Sequence, residues 1–137
     1  MLRRRVLLLT GPLVASFVAL RTYLFVTPDR DLDVGPYNIH HLYVGLLLIV
    51  VGGIPLALFR DAGRGGDLAV VVFAIGLGMA LDEWVYLIVT DGSNAAYLYR
   101  VSFWGGVTMI TLACAYLGAL VLTRRRGRWT GNRELGR

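Results

Sequence analysis

Residues 68–90 read LAVVVFAIGLGMALDEWVYLIVT, an apolar run with the adjacent acids Asp82 and Glu83 inside it. A helix of this length, at about 1.5 Å of rise per residue, crosses the roughly 30 Å hydrocarbon core of a bilayer. A charged side chain at such a depth costs about 2.5–3.5 kcal/mol on insertion scales, so each carboxylate needs a partner, a proton or water. The stretch therefore predicts a membrane-spanning helix that carries a polar cluster.

Three further apolar runs of similar length predict a bundle of transmembrane helices. The chain is 56% hydrophobic, whereas soluble domains average about 45–50%. Short connections force neighbouring helices to run antiparallel. We predict an all-α integral membrane protein with four transmembrane helices in an antiparallel bundle, which forms a single domain over residues 1–123. The predicted spans and the segment after them are 6–26, 39–59, 68–90, 101–123 and a basic, disordered tail at 124–137.

Arginine supplies all fourteen positively charged side chains, and its distribution predicts the orientation of the helices. Arg30 and Arg100 lie at one end of the predicted bundle, and Arg21 lies inside the first span. Because positively charged segments stay in the cytoplasm, the end with the other eleven arginines, and with it both termini, is predicted to be cytoplasmic. Such arginines favour contact with the lipid bilayer, and we expect no nucleic acid partner. The eleven are Arg3, Arg4, Arg5, Arg60, Arg64, Arg124, Arg125, Arg126, Arg128, Arg133 and Arg137.

Polar side chains within the predicted spans concentrate in the outer half of the bundle. Counting residues places Arg21 about 7–8 Å and Asp82 about 12 Å below the outer ends of their spans, so the two can form an ion pair. Tyr86 follows Asp82 by four residues and shares its helix face. Arg21 supplies one positive charge against two negative ones. The second carboxylate must therefore be protonated, solvated, or paired with Arg100 or a histidine.

Adjacent helical residues point about 100° apart, so Asp82 and Glu83 are not expected to play the same role. We predict that Asp82 faces the interior, on the same stripe as Gly78 and Tyr86. His40 and His41 begin the second span, and the same rotation predicts that at most one of them points inward.

The two histidines and the two acids are also candidate ligands of a metal site. Imidazole nitrogen and carboxylate oxygen suit zinc or iron. Two features oppose this site: the sequence lacks the paired-ligand spacings of known metal motifs, and residue counting places His41 about 9 Å above Asp82. Two hypotheses stay open, a metal site formed by His40, His41, Asp82 and Glu83, and a metal-free proton or ion site formed by Asp82, Glu83, Arg21 and Tyr86.

Two further patterns concern packing. Small residues recur every four positions on each span, a spacing that lets helix backbones approach closely. Tyr97, Tyr99 and Trp104 lie near the predicted outer boundary of the membrane, and we interpret them as interfacial anchors. The sets of small residues are Gly11–Ala15–Ala19, Gly53–Ala57, Gly76–Ala80 and Thr111–Ala115–Ala119.

Three classes of function fit these patterns: a transport subunit for a proton or cation, a sensing or assembly subunit, and a membrane-embedded enzyme. No catalytic spacing is complete in the sequence, so we favour a non-catalytic transport, sensing or assembly subunit. The alternative is a metal-dependent or acid–base enzyme that acts on a lipid or isoprenoid substrate. We expect a multi-pass protein of a prokaryotic cell membrane, which works as a homo-oligomer or within a larger membrane complex.

Overall fold

The computed structural model describes residues 2–27, 33–34, 37–38, 40–59 and 63–134. Within these ranges the protein is helical, apart from a two-stranded antiparallel ladder in which Asp33 pairs with Asn38 and Val34 with Tyr37. The elements in chain order are α1 (Leu2–Val26), β1 (Asp33–Val34), β2 (Tyr37–Asn38), α2 (His41–Leu58), α3 (Gly63–Val89), α4 (Asn94–Tyr97) and α5 (Arg100–Glu134).

Four of the helices are long and apolar enough to cross a membrane: α1, α2, α3 and the part of α5 from Arg100 to Arg124. The prediction of an all-helical, multi-pass membrane protein is thereby confirmed. The short α4, which the sequence analysis did not predict, lies between the third and fourth of these helices. Several residues used to predict the orientation or the span limits lie outside the described residues, namely Arg30, Ile39, Arg60 and Arg137.

The backbone of the last helix continues past the predicted end of the fourth span. The structure places α5 up to Glu134, within the segment 124–137 that was predicted to be a disordered tail. A helical backbone does not show whether a segment is mobile. The disorder of the tail therefore stays a prediction.

The third helix is the centre of the molecule. It packs against α1, α2 and α5. Within its apolar window 44% of the residues are buried, against 11% or less in the other three long helices. Leu13, Phe17, Ala74 and Ile110 form an apolar core in which side chains from α1 and α5 meet α3. A polar side chain on α3 is therefore more often buried against a neighbouring helix than one on α1, α2 or α5.

Glycines allow the backbones of α2 and α3 to touch. A Cβ atom added at Gly45 would lie 2.7 Å from the carbonyl oxygen of Gly76, and one added at Gly52 would lie 2.5 Å from the backbone nitrogen of Phe73. These distances leave no space for a methyl group. The backbones of the two helices are consequently in direct contact at these glycines.

The small-residue patterns identified some of these contacts and misplaced others. Gly76 and Ala80 are buried, as predicted. In α2 the prediction of Gly53 is wrong by one residue, because Gly52 makes the close contact. The sets on α1 and α5 lie on exposed faces, since both helices turn other residues toward α3. A four-residue spacing defines a face of a helix and does not say which face meets a neighbour.

Replacing Gly52 by Ala should lower the free energy of unfolding by about 1–3 kcal/mol, because the added methyl group meets backbone atoms that cannot move aside. Gly53→Ala is the matched control, since its methyl group would lie 3.5 Å from the Phe73 ring, an ordinary contact. Thermal unfolding of the two detergent-solubilised variants, followed by circular dichroism, measures the difference. Equal melting temperatures would contradict the close approach of α2 and α3.

Candidate functional site

The predicted ion pair between Arg21 and Asp82 is present and buried. Asp82 is 0% exposed, and Arg21 Nε donates to Asp82 Oδ1 at 2.7 Å. The remaining nitrogens of Arg21 donate to the carbonyl oxygen of Tyr97 at 3.1 Å, to Ser102 Oγ at 3.1 Å and to the carbonyl oxygen of Ser102 at 3.0 Å. Arg21 on α1 thus binds α3, α4 and the start of α5 together.

The surroundings of this ion pair fit it closely. A Cβ atom at Gly106 would lie 2.7 Å from Asp82 Oδ1 and 3.2 Å from Arg21 Nη2, so only glycine leaves space there. The guanidinium carbon of Arg21 lies 4.0 Å from the centre of the Tyr97 ring. At this distance the face of the ring attracts the cation. The pair is therefore stabilised by a carboxylate, by main-chain oxygens and by an aromatic ring.

Tyr97 belongs to the site, and its interpretation as an interfacial anchor is wrong. The residue is buried, and its hydroxyl donates to Asp82 Oδ2. Burial, reinforced by the negative charge of Asp82, raises the pKa of Tyr97 far above its ordinary range. Tyr97 is therefore a hydrogen-bond donor to the carboxylate. Tyr99 and Trp104, interpreted in the same way, are exposed.

A capped turn brings Tyr97 back toward α3. Gly92 adopts a φ of 74°, in the left-handed region that glycine tolerates best. Asp91 Oδ1 accepts hydrogen bonds from the backbone nitrogen of Ser93 at 3.1 Å and from its hydroxyl at 2.8 Å. These bonds lower the pKa of Asp91. The Ser93 hydroxyl in turn caps α4 by accepting from the backbone nitrogen of Ala96. This Asp-Gly-Ser sequence was the local signal that could have predicted α4.

Tyr86 is buried, as its position on the Asp82 face predicted. Its hydroxyl donates to the carbonyl oxygen of Ser93 at 3.0 Å. Its ring meets the Tyr97 ring edge-on, with 5.3 Å between the ring centres. Tyr86 thereby fixes α4 over the end of α3 and positions Tyr97.

Glu83 is also buried, at 2% exposed, and faces α2. Its Oε2 accepts a hydrogen bond of 2.6 Å from the backbone nitrogen of Leu42, in the first turn of α2. Its Oε1 lies 3.2 Å from His41 Nδ1 and 3.4 Å from His40 Nδ1. The other ring nitrogen of His41, Nε2, lies 3.2 Å from Asp82 Oδ2. His41 therefore bridges the two carboxylates.

Both acids are buried, because α3 has neighbours on several sides. The contacts correct two expectations. Both histidines face Glu83, because His40 precedes α2 with an extended backbone (φ −59°, ψ 142°) and the helical rotation does not apply to it. Residue counting separated His41 from Asp82, yet the side chains meet, because each reaches several ångströms from its helix axis.

We call Arg21, His41, Asp82, Glu83 and Tyr97 the buried cluster. Arg100, the other cation considered as a partner for the second carboxylate, is exposed, and it forms no ion pair with Asp82 or Glu83 in the described part of the chain. His41 takes that role instead. A neutral imidazole has one N–H group, whereas both nitrogens of His41 face carboxylate oxygens.

The predicted zinc or iron ligands do come together, but they pair with one another. His41 contacts Asp82 and Glu83, and His40 contacts Glu83. In the part of the chain that the structure describes, no group of three or more His, Cys, Asp or Glu side chains is arranged to hold a metal ion. The arrangement is that of a hydrogen-bonded network.

Asp82→Asn should lower the free energy of unfolding by about 3–5 kcal/mol, because it leaves the buried Arg21 without its counter-charge. Asp67→Asn is the matched control. It removes the partner of Arg4 from an ion pair whose side chains are 71% and 21% exposed, and such pairs contribute about 1 kcal/mol or less. Unfolding in a denaturing detergent measures both variants. Equally small losses would contradict the burial of the Arg21–Asp82 pair.

Comparisons of the chain with models of protein families, with curated proteins and with solved structures found no match. A functional assignment therefore depends on the chemistry of the buried cluster itself.

Proposed function

We propose that this chain is a non-catalytic subunit of a prokaryotic cell membrane that senses the proton concentration outside the cell. The sensor is the buried cluster, and the observation that carries the proposal is the bridge that His41 forms between Asp82 and Glu83. In this bridge each ring nitrogen of His41 lies 3.2 Å from a carboxylate oxygen, an arrangement that one additional proton would stabilise.

The charge balance of the cluster requires the same proton. Arg21 contributes one positive charge, and Asp82 and Glu83 contribute two negative ones, so the cluster without the additional proton has a net charge of −1. A buried uncompensated charge is strongly unfavourable. One additional proton makes the cluster neutral and supplies the missing hydrogen bond. Electrostatics and hydrogen bonding therefore favour the same protonated state.

The exposure of the side chains indicates the route of the proton. His40 and His41 are 21% and 15% exposed, whereas the acids behind them are almost fully buried. Beyond Asp82 the apolar core of Leu13, Phe17, Ala74 and Ile110 separates the cluster from the opposite end of the helices. A proton can thus reach the cluster from the end of the molecule where the histidines lie, while the apolar core separates the cluster from the other end. Sensing needs only access from one end, whereas transport needs a path to both ends. The arrangement therefore favours sensing over transport.

The first turn of α2 is the element that responds to the proton. Glu83 accepts from the Leu42 backbone, and His41 contacts both acids, so the start of α2 is bound to α3 through the protonated network. Loss of the proton places two acceptors against one another and weakens this attachment. In our proposal the population shifts toward a state in which the start of α2 is displaced from α3. A partner subunit, or a second copy of this chain, would read that displacement.

The state of the polar atoms supports a role without catalysis. Among the described residues, every buried side-chain nitrogen and oxygen has a hydrogen-bond partner. A catalytic acid, base or nucleophile must direct a reactive atom at a substrate. In the buried cluster those atoms are directed at one another.

We further propose that the four spans form an antiparallel bundle with both termini in the cytoplasm. Gly45 lies against Gly76 and Gly52 against Phe73, so contacts move backward along α3 as α2 advances. Arg4 pairs with Asp67 and Arg21 with Asp82, so α1 and α3 advance together. These contacts support alternating directions. The excess of arginine at one end supports a cytoplasmic location for that end.

This orientation predicts that a membrane-impermeant thiol reagent labels Ala95→Cys in intact cells. Arg64→Cys should be labelled only after the cells are permeabilised. Both positions are exposed, and Cys114→Ala provides the background without the native thiol. The reverse pattern would place the termini outside the cytoplasm.

The sensing proposal predicts that the free energy of unfolding falls as the pH rises above about 6.5, where a histidine in the unfolded chain releases its proton, by at most about 1.4 kcal/mol per pH unit. The sign follows because, in this range, the folded cluster holds a proton that the unfolded chain releases. Glu83→Gln should abolish the slope, since the amide makes the cluster neutral without the additional proton. Its N–H group can donate to His41 while its oxygen still accepts from Leu42.

Asp67→Asn, which removes a carboxylate remote from the cluster, should keep the wild-type pH slope. A slope that persists in Glu83→Gln would overturn the sensing proposal. The metal content of the same samples tests the alternative enzyme. Stoichiometric zinc or iron that is lost in both His41→Ala and Asp82→Asn would favour the metal-dependent enzyme over the sensor.

A further inference from the structure

A groove between α1 and α5 lies beside the buried cluster and has a different chemical character. It has a volume of about 470 Å³ and includes Arg21 and Arg100, and none of the described residues that line it is acidic. Sites for small ligands commonly enclose about 300–1,000 Å³. We call this space the arginine groove. It lies at the end of the molecule where α4 is found.

We propose that the arginine groove binds the phosphate headgroup of an anionic phospholipid. Arg100 is the exposed cation that would contact the phosphate, and guanidinium groups bind phosphate oxygens through paired, charge-assisted hydrogen bonds. Arg21 lies deeper, and its charge is already balanced by Asp82. Arg100 is therefore the cation that contacts the phosphate.

The position of the groove at a helix start strengthens the preference for an anion. The long helix α5 begins at Arg100, and the start of a helix has a partial positive charge. Phe103 and Trp104, in the first turns of α5, line the same groove. Positive potential and an apolar wall thus lie side by side, as they do in a phospholipid with its headgroup and acyl chains.

The apolar wall favours a lipid over a free phosphate ion. Phe25, Phe103 and Trp104 line the groove and are largely exposed, at 78%, 43% and 60%. Aromatic side chains at this level of a membrane helix contact the region where headgroups meet acyl chains. Inorganic phosphate would use the arginine alone, whereas a phospholipid also covers the aromatic wall. The site is separate from proton sensing and does not rest on it.

The test titrates the purified protein, in a neutral detergent, with phosphatidylglycerol and with phosphatidylcholine of the same acyl chains. Native mass spectrometry counts the bound lipid. We expect phosphatidylglycerol to bind more tightly, and Arg100→Gln to weaken its binding by about tenfold, which is the loss expected from one charge-assisted contact. Arg64→Gln is the matched control, because it removes an exposed arginine on α3 that does not line the groove.

Three outcomes would overturn the proposal. Equal binding of the two lipids would exclude a preference for the anionic headgroup. Equal losses in Arg100→Gln and Arg64→Gln would indicate attraction by net charge and no particular site. Competition by inorganic phosphate as strong as that by the lipid would indicate a simple anion site. Thermal unfolding of both variants verifies that they are folded, and Glu83→Gln, which alters the sensor, should bind the lipid normally.

Discussion

Two adjacent carboxylates inside an apolar helix must be neutralised, and most of the architecture follows from that requirement. Because Asp82 and Glu83 point in different directions from α3, their main partners differ, although His41 contacts both. Asp82 uses Arg21 of α1 and Tyr97 of α4, whereas Glu83 uses the start of α2. The central position of α3 makes these contacts simultaneous. The two carboxylates, which are the most costly groups to bury, are thus also the groups that connect α3 to the other helices.

The long-range features of the fold were predictable from the sequence, because they depend on composition over many residues. Four apolar runs predict four spans, and a lone arginine inside a span has few possible partners other than a buried acid. The role of Tyr97 was not predictable in this way. It depends on the turn that directs α4 back over α3, and an aromatic residue near a membrane boundary most often has an anchoring role.

The histidines show a related limit of sequence reasoning. The directions of the two histidine rings were predicted from the rotation between adjacent residues of a regular helix. However, α2 begins only at His41, and the extended backbone of His40 directs its ring to Glu83, the acid that His41 also contacts. A shift of one residue in a helix start changes which side chains meet. The same applies to Gly52 and Gly53, where packing selects one of two adjacent glycines. Such details depend on tertiary contacts, which no local pattern in the chain specifies.

Arg21 is held largely by main-chain atoms, since the carbonyl oxygens of Tyr97 and Ser102 accept two of its hydrogen bonds. Every residue type supplies a carbonyl oxygen, so these acceptors persist through changes of side chain at both positions. What they require is the path of the backbone between α4 and α5. Over evolutionary time, this half of the anchor would tolerate drift in residue identity much more readily than an inserted or deleted residue.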